Sequence, residues 1–143
     1  MSKFQVSAEQ IEVMACHYIT AALWTEQDEL GDCDNVSSAA KTDANAECAD
    51  FCAKAGDLIE QVMNAEGYGS HPDCGTVHPA FGAMGHDLWL TRNGHGCGFW
   101  DRDELKDVEF AEGGNLGDAL ADVARKMGES YVYLGGDGFI YLD

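Results

Sequence analysis

The residues with the widest chemical reach in this chain are its five His and six Cys. His71, Cys74 and His78 follow one another as H-x2-C-x3-H. Imidazole nitrogen and thiolate sulfur are the donors of zinc sites, and His86, His95 or Cys97 is available as a fourth ligand. The spacing matches no standard zinc finger. A second constellation sets Cys97 beside His86 or His95 and Asp101, which can be written as nucleophile, base and orienter. The run GHGCG (94–98) offers backbone N–H groups to a ligand but lacks the Lys and Ser/Thr of a phosphate loop. Cys48 and Cys52, four apart, could turn two thiolates toward one ion; without matching local ligands they read as small buried hydrophobes. Cys16 and His17 are adjacent, so on a helix they point about 100° apart and read as packing residues.

The elements that would position these groups centre on Gly85 to Asp101, GHDLWLTRNGHGCGFWD. Asn93-Gly94 tolerates positive φ at both positions and favours a two-residue hairpin turn. With the turn there, Leu90 faces Cys97, Leu88 faces Phe99 and His86 faces Asp101. Leu88, Leu90, Cys97 and Phe99 would form the core face, which points the Cys97 thiol inward, protonated and inert.

The run GHDLWLTRNGHGCGFWDRD, followed by NLGDALADVARKMGESYVYLGGDGFIY, resembles a group of small, uncharacterised proteins encoded by bacteriophages and other mobile elements. These share a GHDxWLTRNGHGxGFWDR segment, a helix of LGDxLxxAA type and a terminal Tyr/Val hairpin. The resemblance covers residues 85–143. It implies a phage source and an intracellular site of action, and it carries over no catalytic residue. Small apolar residues such as Ala or Val stand at the position of Cys97 in the group, which argues against a catalytic thiol.

With 143 residues, 45% of them hydrophobic and 10% aromatic, the chain is long and apolar enough for one domain (1–143) with one core. No run approaches the roughly 18 apolar residues of a membrane span, and MSKFQVSAEQ has no signal-peptide features, so retention in the cytoplasm and reduced thiols are expected. There are 26 Asp and Glu against 8 Lys and Arg, a formal charge of −18. That balance disfavours direct binding to nucleic acid or an anionic membrane, which depends on cations meeting phosphate. It suits basic partners, including proteins that themselves hold nucleic acid, though acid also serves solubility.

Ser7 to Gln10 reads as a capping box opening a long amphipathic helix with Ile11, Met14, Ala15, Tyr18, Ile19, Ala22 and Leu23 on one stripe. In the polar connector after it, Asp32, Asp34 and Asn35 resemble a calcium loop, but Val36 falls where the third oxygen ligand belongs. A second helix is predicted from Asp43 or Asn45 to Gly67, burying Cys48, Phe51, Cys52, Ala55, Leu58, Ile59, Val62 and Met63. Tyr68 to Met84, with both prolines, is predicted as loop. Asn115 caps a third helix that stops at Gly128, and Tyr131–Leu134 with Phe139–Tyr141 form a last hairpin around Gly135-Gly136-Asp137-Gly138. The predicted class is α+β: two long N-terminal helices, a third helix, and a small antiparallel sheet built from two hairpins.

Residues 26–66 hold eleven acids and two Lys, a local net of −9. The expected function is that of a phage-type acidic binding protein. It would inhibit a basic, nucleic-acid-binding host defence protein such as a nuclease by presenting carboxylates in place of DNA phosphates. Glu47, Asp50, Asp57, Glu60 and Glu66 are the expected contact residues, with no cofactor. One alternative is a small structural or regulatory domain stabilised by zinc on His71, Cys74 and His78. Another is an enzyme using the GHGCG hairpin, although the chain has no nucleophile elbow, HExxH or dinucleotide fingerprint.

Overall fold

The computed structural model describes residues 5–31 and 34–143. The reading of the N-terminus draws on residues 1–4 and the calcium-like loop on Asp32, and these, like Cys33, lie outside the described residues.

Helix α1 (Ala8–Thr25) opens on the capping box read from the sequence. The Ser7 hydroxyl accepts from the Gln10 N–H, and the Gln10 side chain accepts from the Ser7 N–H. Its stripe buries Met14, Ala15, Tyr18, Ala21 and Ala22. A short turn of helix, α2 (Gln27–Leu30), closes with Leu30 buried.

The second long helix differs from expectation at both ends. Helix α3 (Ser38–Ala55) starts earlier because Ser37 caps it, its hydroxyl accepting from the Ala40 N–H. It stops at Gly56, which adopts φ +56, a conformation that ends a helix and that glycine tolerates best. The chain resumes as α4 (Leu58–Asn64). The apolar stripe survives the break: Cys48, Phe51, Cys52, Ala55, Ile59 and Val62 are all buried.

The first strand of the predicted central hairpin, with the end of the predicted loop before it, is a helix, α5 (Pro79–Arg92), and the predicted return strand is not a strand. Pro79 occupies the first turn, where its missing N–H does no harm. Ala80, Phe81, Met84, Leu88, Trp89 and Leu90 are buried along it, as they must be in a helix covered on all sides. Such a helix shows no polar stripe, so its 3.6-residue period is invisible in sequence. Asn93-Gly94 terminates it. Gly94 takes φ +66, its N–H donates to the Thr91 carbonyl, and the His95 N–H donates to the Leu90 carbonyl. That pair of bonds is a Schellman motif, and it wants the same positive-φ glycine as a hairpin turn. The pairs Leu90–Cys97, Leu88–Phe99 and His86–Asp101 are therefore not cross-strand neighbours.

After a 3-10 turn at Phe99–Asp101 and the short α6 (Asp103–Lys106), α7 (Leu116–Lys126) forms as predicted, with the Asn115 side chain accepting from the Asp118 N–H. The C-terminal hairpin also forms: β1 (Val132–Leu134) pairs antiparallel with β2 (Ile140–Leu142), with Tyr133 opposite Tyr141. Among the described residues it is the one sheet, widened where residues 35–37 bridge β2 through Ile140. The class is α+β, dominated by helices, with one hairpin in place of two. No described helix is long and apolar enough to cross a membrane.

Helices α1 and α5 form the most extensive contact in the fold. A β-carbon at Gly85 would lie 2.1 Å from the Met14 carbonyl oxygen and 2.9 Å from the Tyr18 nitrogen. At Gly82 it would lie 2.3 Å from the Cys74 carbonyl oxygen. Trp89 packs edge-on against Tyr18 and donates its indole N–H to Thr25 Oγ1 at 2.8 Å. Gly85→Ala should therefore force the two helices apart and cost roughly 1–3 kcal/mol or more. Gly136→Ala, with nothing within 4 Å of the added carbon, should stay within about 0.5 kcal/mol of the parent. Urea unfolding of both variants checks the contrast.

Candidate functional site

Helix α5 carries two charged side chains into the interior, and a buried charge requires a partner. Asp87 is 1% exposed. Its Oδ1 accepts from Arg102 Nε at 2.9 Å and Nη2 at 2.6 Å, and its Oδ2 accepts from the Tyr68 hydroxyl at 2.6 Å. These bonds from Asp87 hold the Arg102 guanidinium above its ordinary value, while burial, reinforced by Asp87, pushes the Tyr68 phenol up. Arg92 makes the second centre. Its Nη1 donates to Glu47 Oε1 at 2.6 Å and to the Tyr18 hydroxyl at 3.0 Å, and Tyr18 itself donates to Glu47 at 2.7 Å. Arg92 Nε also donates to the Gly128 carbonyl at 2.7 Å, just beyond α7. One guanidinium thus ties α1, α3, α5 and the end of α7 together.

The Asp87 centre opens onto a cleft of about 800 Å³ whose lining includes Trp24, Cys74, His86, Cys97 and Arg102. The signal that sequence reasoning missed is the acid itself: Asp87 interrupts the apolar run around Leu88, Trp89 and Leu90, where only a paired carboxylate is tolerated. Its partners, fifteen residues later and nineteen earlier, carry no local mark. Beside the cleft, the His17 and His86 rings meet edge to face at 5.2 Å. Burial lowers the pKa of both, and for His86 the nearby His17 adds to it.

The sequence-predicted residues scatter. Of the expected contact acids, Asp50, Asp57 and Glu66 are exposed and Glu60 is half-buried. Glu47 is turned inward to Arg92, and Asp50 lies 2.5 Å from Lys54. His71 is exposed, with Nδ1 accepting from the Asp73 N–H, while Cys74 is buried. His78 precedes α5 in a left-handed conformation, its Nε2 3.3 Å from Glu9. Among the described residues no group of three or more His, Cys, Asp and Glu is placed to hold a metal ion. Cys48 and Cys52 are buried thiols whose pKa values burial pushes up, that of Cys52 to about 12. Cys97 is half-buried and lines the cleft with His86 instead of facing the core, whereas His95 and Asp101 are exposed. The five described cysteines are free.

Charge is distributed unevenly between inside and outside. Of the 26 acids, twenty are exposed; Glu26, Glu47, Glu60 and Glu104 are half-buried, Asp87 is buried, and Asp32 lies outside the described residues. Of the seven described Lys and Arg, five sit in salt bridges with acids: Lys54, Arg92, Arg102, Lys106 and Lys126. Comparison of the chain with protein-family models, characterised proteins and solved structures finds no match.

The histidine pair sets a pH dependence. Both imidazoles have folded-state pKa values below the ordinary 6.5, so the unfolded chain takes up protons first. Their stabilisation is complete above about pH 6.5 and is lost as pH falls through the folded values. Asp87 and Asp73 oppose the shift at His86, and Arg102 supports it. Thermal unfolding of the parent should weaken between about pH 7 and about pH 5 more steeply than that of His17→Gln with His86→Gln. Parallel slopes would remove the pair from the account.

Proposed function

We propose that this chain is a phage-type acidic binding protein that engages a basic, nucleic-acid-binding host protein inside the bacterial cell. In this reading it inhibits a defence nuclease or similar protein by presenting carboxylates where that protein holds phosphates. The carrying observation is the segregation of charge. The surface holds twenty exposed acids, and two of the three arginines are paired with acids, Arg92 in the interior with Glu47 and the half-exposed Arg102 with Asp87. The charge left outside attracts cationic surfaces, steers encounter and repels nucleic acid. Asp50, Asp57 and Glu66 remain contact candidates, whereas Glu47 belongs to the interior network.

The test is retention of host proteins on the immobilised chain, eluted by rising salt and challenged with duplex DNA. A specific basic protein should be displaced by both. Asp50→Lys with Asp57→Lys should weaken its binding roughly tenfold or more. Retention indifferent to salt, to DNA and to both reversals would sink the reading.

One observation favours a second reading, a small-ligand or enzymatic cleft: Cys97 and His86 share the cavity beside Asp87 and Arg102. A nucleophilic role requires a thiolate at neutral pH. Alkylation of Cys97 should then be fast at about pH 7 and slowed by His86→Gln. A rate no greater than that of a simple thiol removes this reading.

A further inference from the structure

The solvent face of the β1–β2 hairpin carries four aromatic rings. Tyr133 and Tyr141 are paired across the strands and stacked at 5.7 Å. The alternation continues beyond the strands, because the Asp143 N–H donates to the Tyr131 carbonyl and the Gly135 N–H to the Phe139 carbonyl. Side chains two apart on a strand share a face, so Tyr131 and Phe139 join Tyr133 and Tyr141. The opposite face turns Val132, Ile140 and Leu142 into the core. Tyr131, Tyr133 and Phe139 are 59%, 47% and 46% exposed.

Two of these rings are held in place at their edges. The Tyr131 hydroxyl donates to Glu129 at 3.0 Å and the Tyr141 hydroxyl donates to Asp137. The Tyr141 ring lies over Gly135, where a β-carbon would come within 2.7 Å of it. Residues 128–143 contain Glu129, Asp137 and Asp143 and no Lys or Arg. The face therefore combines preorganised rings with an uncompensated rim of carboxylates, the make-up of an interface core and its polar border.

We propose that this face is the docking surface for an arginine-rich segment of a basic protein partner, guanidinium groups stacking on the rings while the three carboxylates meet their charge. This assignment rests on the acidic-binding reading and names the part of the surface that gives it specificity. Guanidinium planes stack on aromatic faces, and lysine ammonium groups do so less well. A nucleic-acid strand would need cations beside the stacking rings, and the segment has none. A second copy of the chain would bring another −18 and, across a two-fold axis, the same carboxylates against themselves.

Arginine and lysine homopeptides of equal length serve as probes, with affinity followed by calorimetry and the bound face mapped by amide chemical shifts. The parent should prefer the arginine peptide by about tenfold, with shifts concentrated in residues 131–141. Tyr133→Ala with Tyr141→Ala should abolish the preference and leave salt-dependent binding of both peptides, and Tyr133→Phe with Tyr141→Phe should retain it. Equal affinity for the two peptides, or shifts confined to the helices, overturns the docking surface and leaves the acidic reading standing. Binding of neither peptide at low salt overturns both.

Discussion

Helix α5 can lie against α1 only because Gly85 offers no side chain to the Met14 carbonyl oxygen, which a β-carbon would meet at 2.1 Å. That approach fixes how deeply α5 sits, and the depth sets the demands on its other side chains. Trp89 and Leu88 lose nearly all contact with water, and the Trp89 indole N–H is satisfied by Thr25. The same depth carries Asp87 and Arg92 out of solvent, where each must be neutralised by an opposite charge from elsewhere in the chain. Arg102 and Tyr68 close on Asp87, and Glu47 with Tyr18 closes on Arg92. Buried pairs of this kind add little net stability over apolar residues of similar shape, but breaking one leaves a charge stranded. Their effect is to select one rotation and one depth of α5 among the many that its apolar surface would allow.

The interior pairs also shape the exterior. Arginine is the residue best suited to phosphate, and two of this chain's three arginines are committed to Glu47 and Asp87. Three of the described lysines pair with an acid on their own helix, which mutes them as point charges. The outer surface is thereby more uniformly negative than composition alone would make it. Self-repulsion of that surface works against folding, and the continuous apolar core spanning α1, α3, α5 and α7 offsets it.

Legibility in the sequence tracked the locality of the signal. Ser7 with Gln10, Asn115 with Asp118, and the Gly-Gly-Asp-Gly turn each act within a few residues, and each formed as predicted. Gly56 carried a stop signal too, but the apolar stripe runs on through Ile59 and Val62, so periodicity masked the break. Helix α5 had no local signature, since burial on all sides erases amphipathic period, and its Asn-Gly terminator fits a helix end and a hairpin equally. The site suffered most. Acids were recognisable as acids, yet nothing near Glu47 announces Arg92, forty-five residues away. Cys97 was placed in the core by a hairpin register that does not exist; with the helix in its place, it reaches the cleft.

A two-stranded hairpin is marginal by itself in water, so the C-terminal one must draw its stability from the surface it packs on. It does so on one side only. Val132, Ile140 and Leu142 are buried, β2 packs on α3, and Ile140 exchanges backbone bonds with Asn35 and Ser37. On the outward side, Tyr133 and Tyr141 stack on each other and the Tyr141 ring covers Gly135. A purely structural hairpin could present Thr, Lys or Glu at Tyr131 and Phe139 with less aggregation hazard. Four outward aromatics in a segment whose charged residues, Glu129, Asp137 and Asp143, are all acidic exceed what one stacked cross-strand pair needs. The Tyr131 and Tyr141 hydroxyls are instead oriented by Glu129 and Asp137, which restricts the freedom of those two rings. Preorganisation of exposed apolar area favours binding, and in the proposed reading the charge around it selects cationic partners.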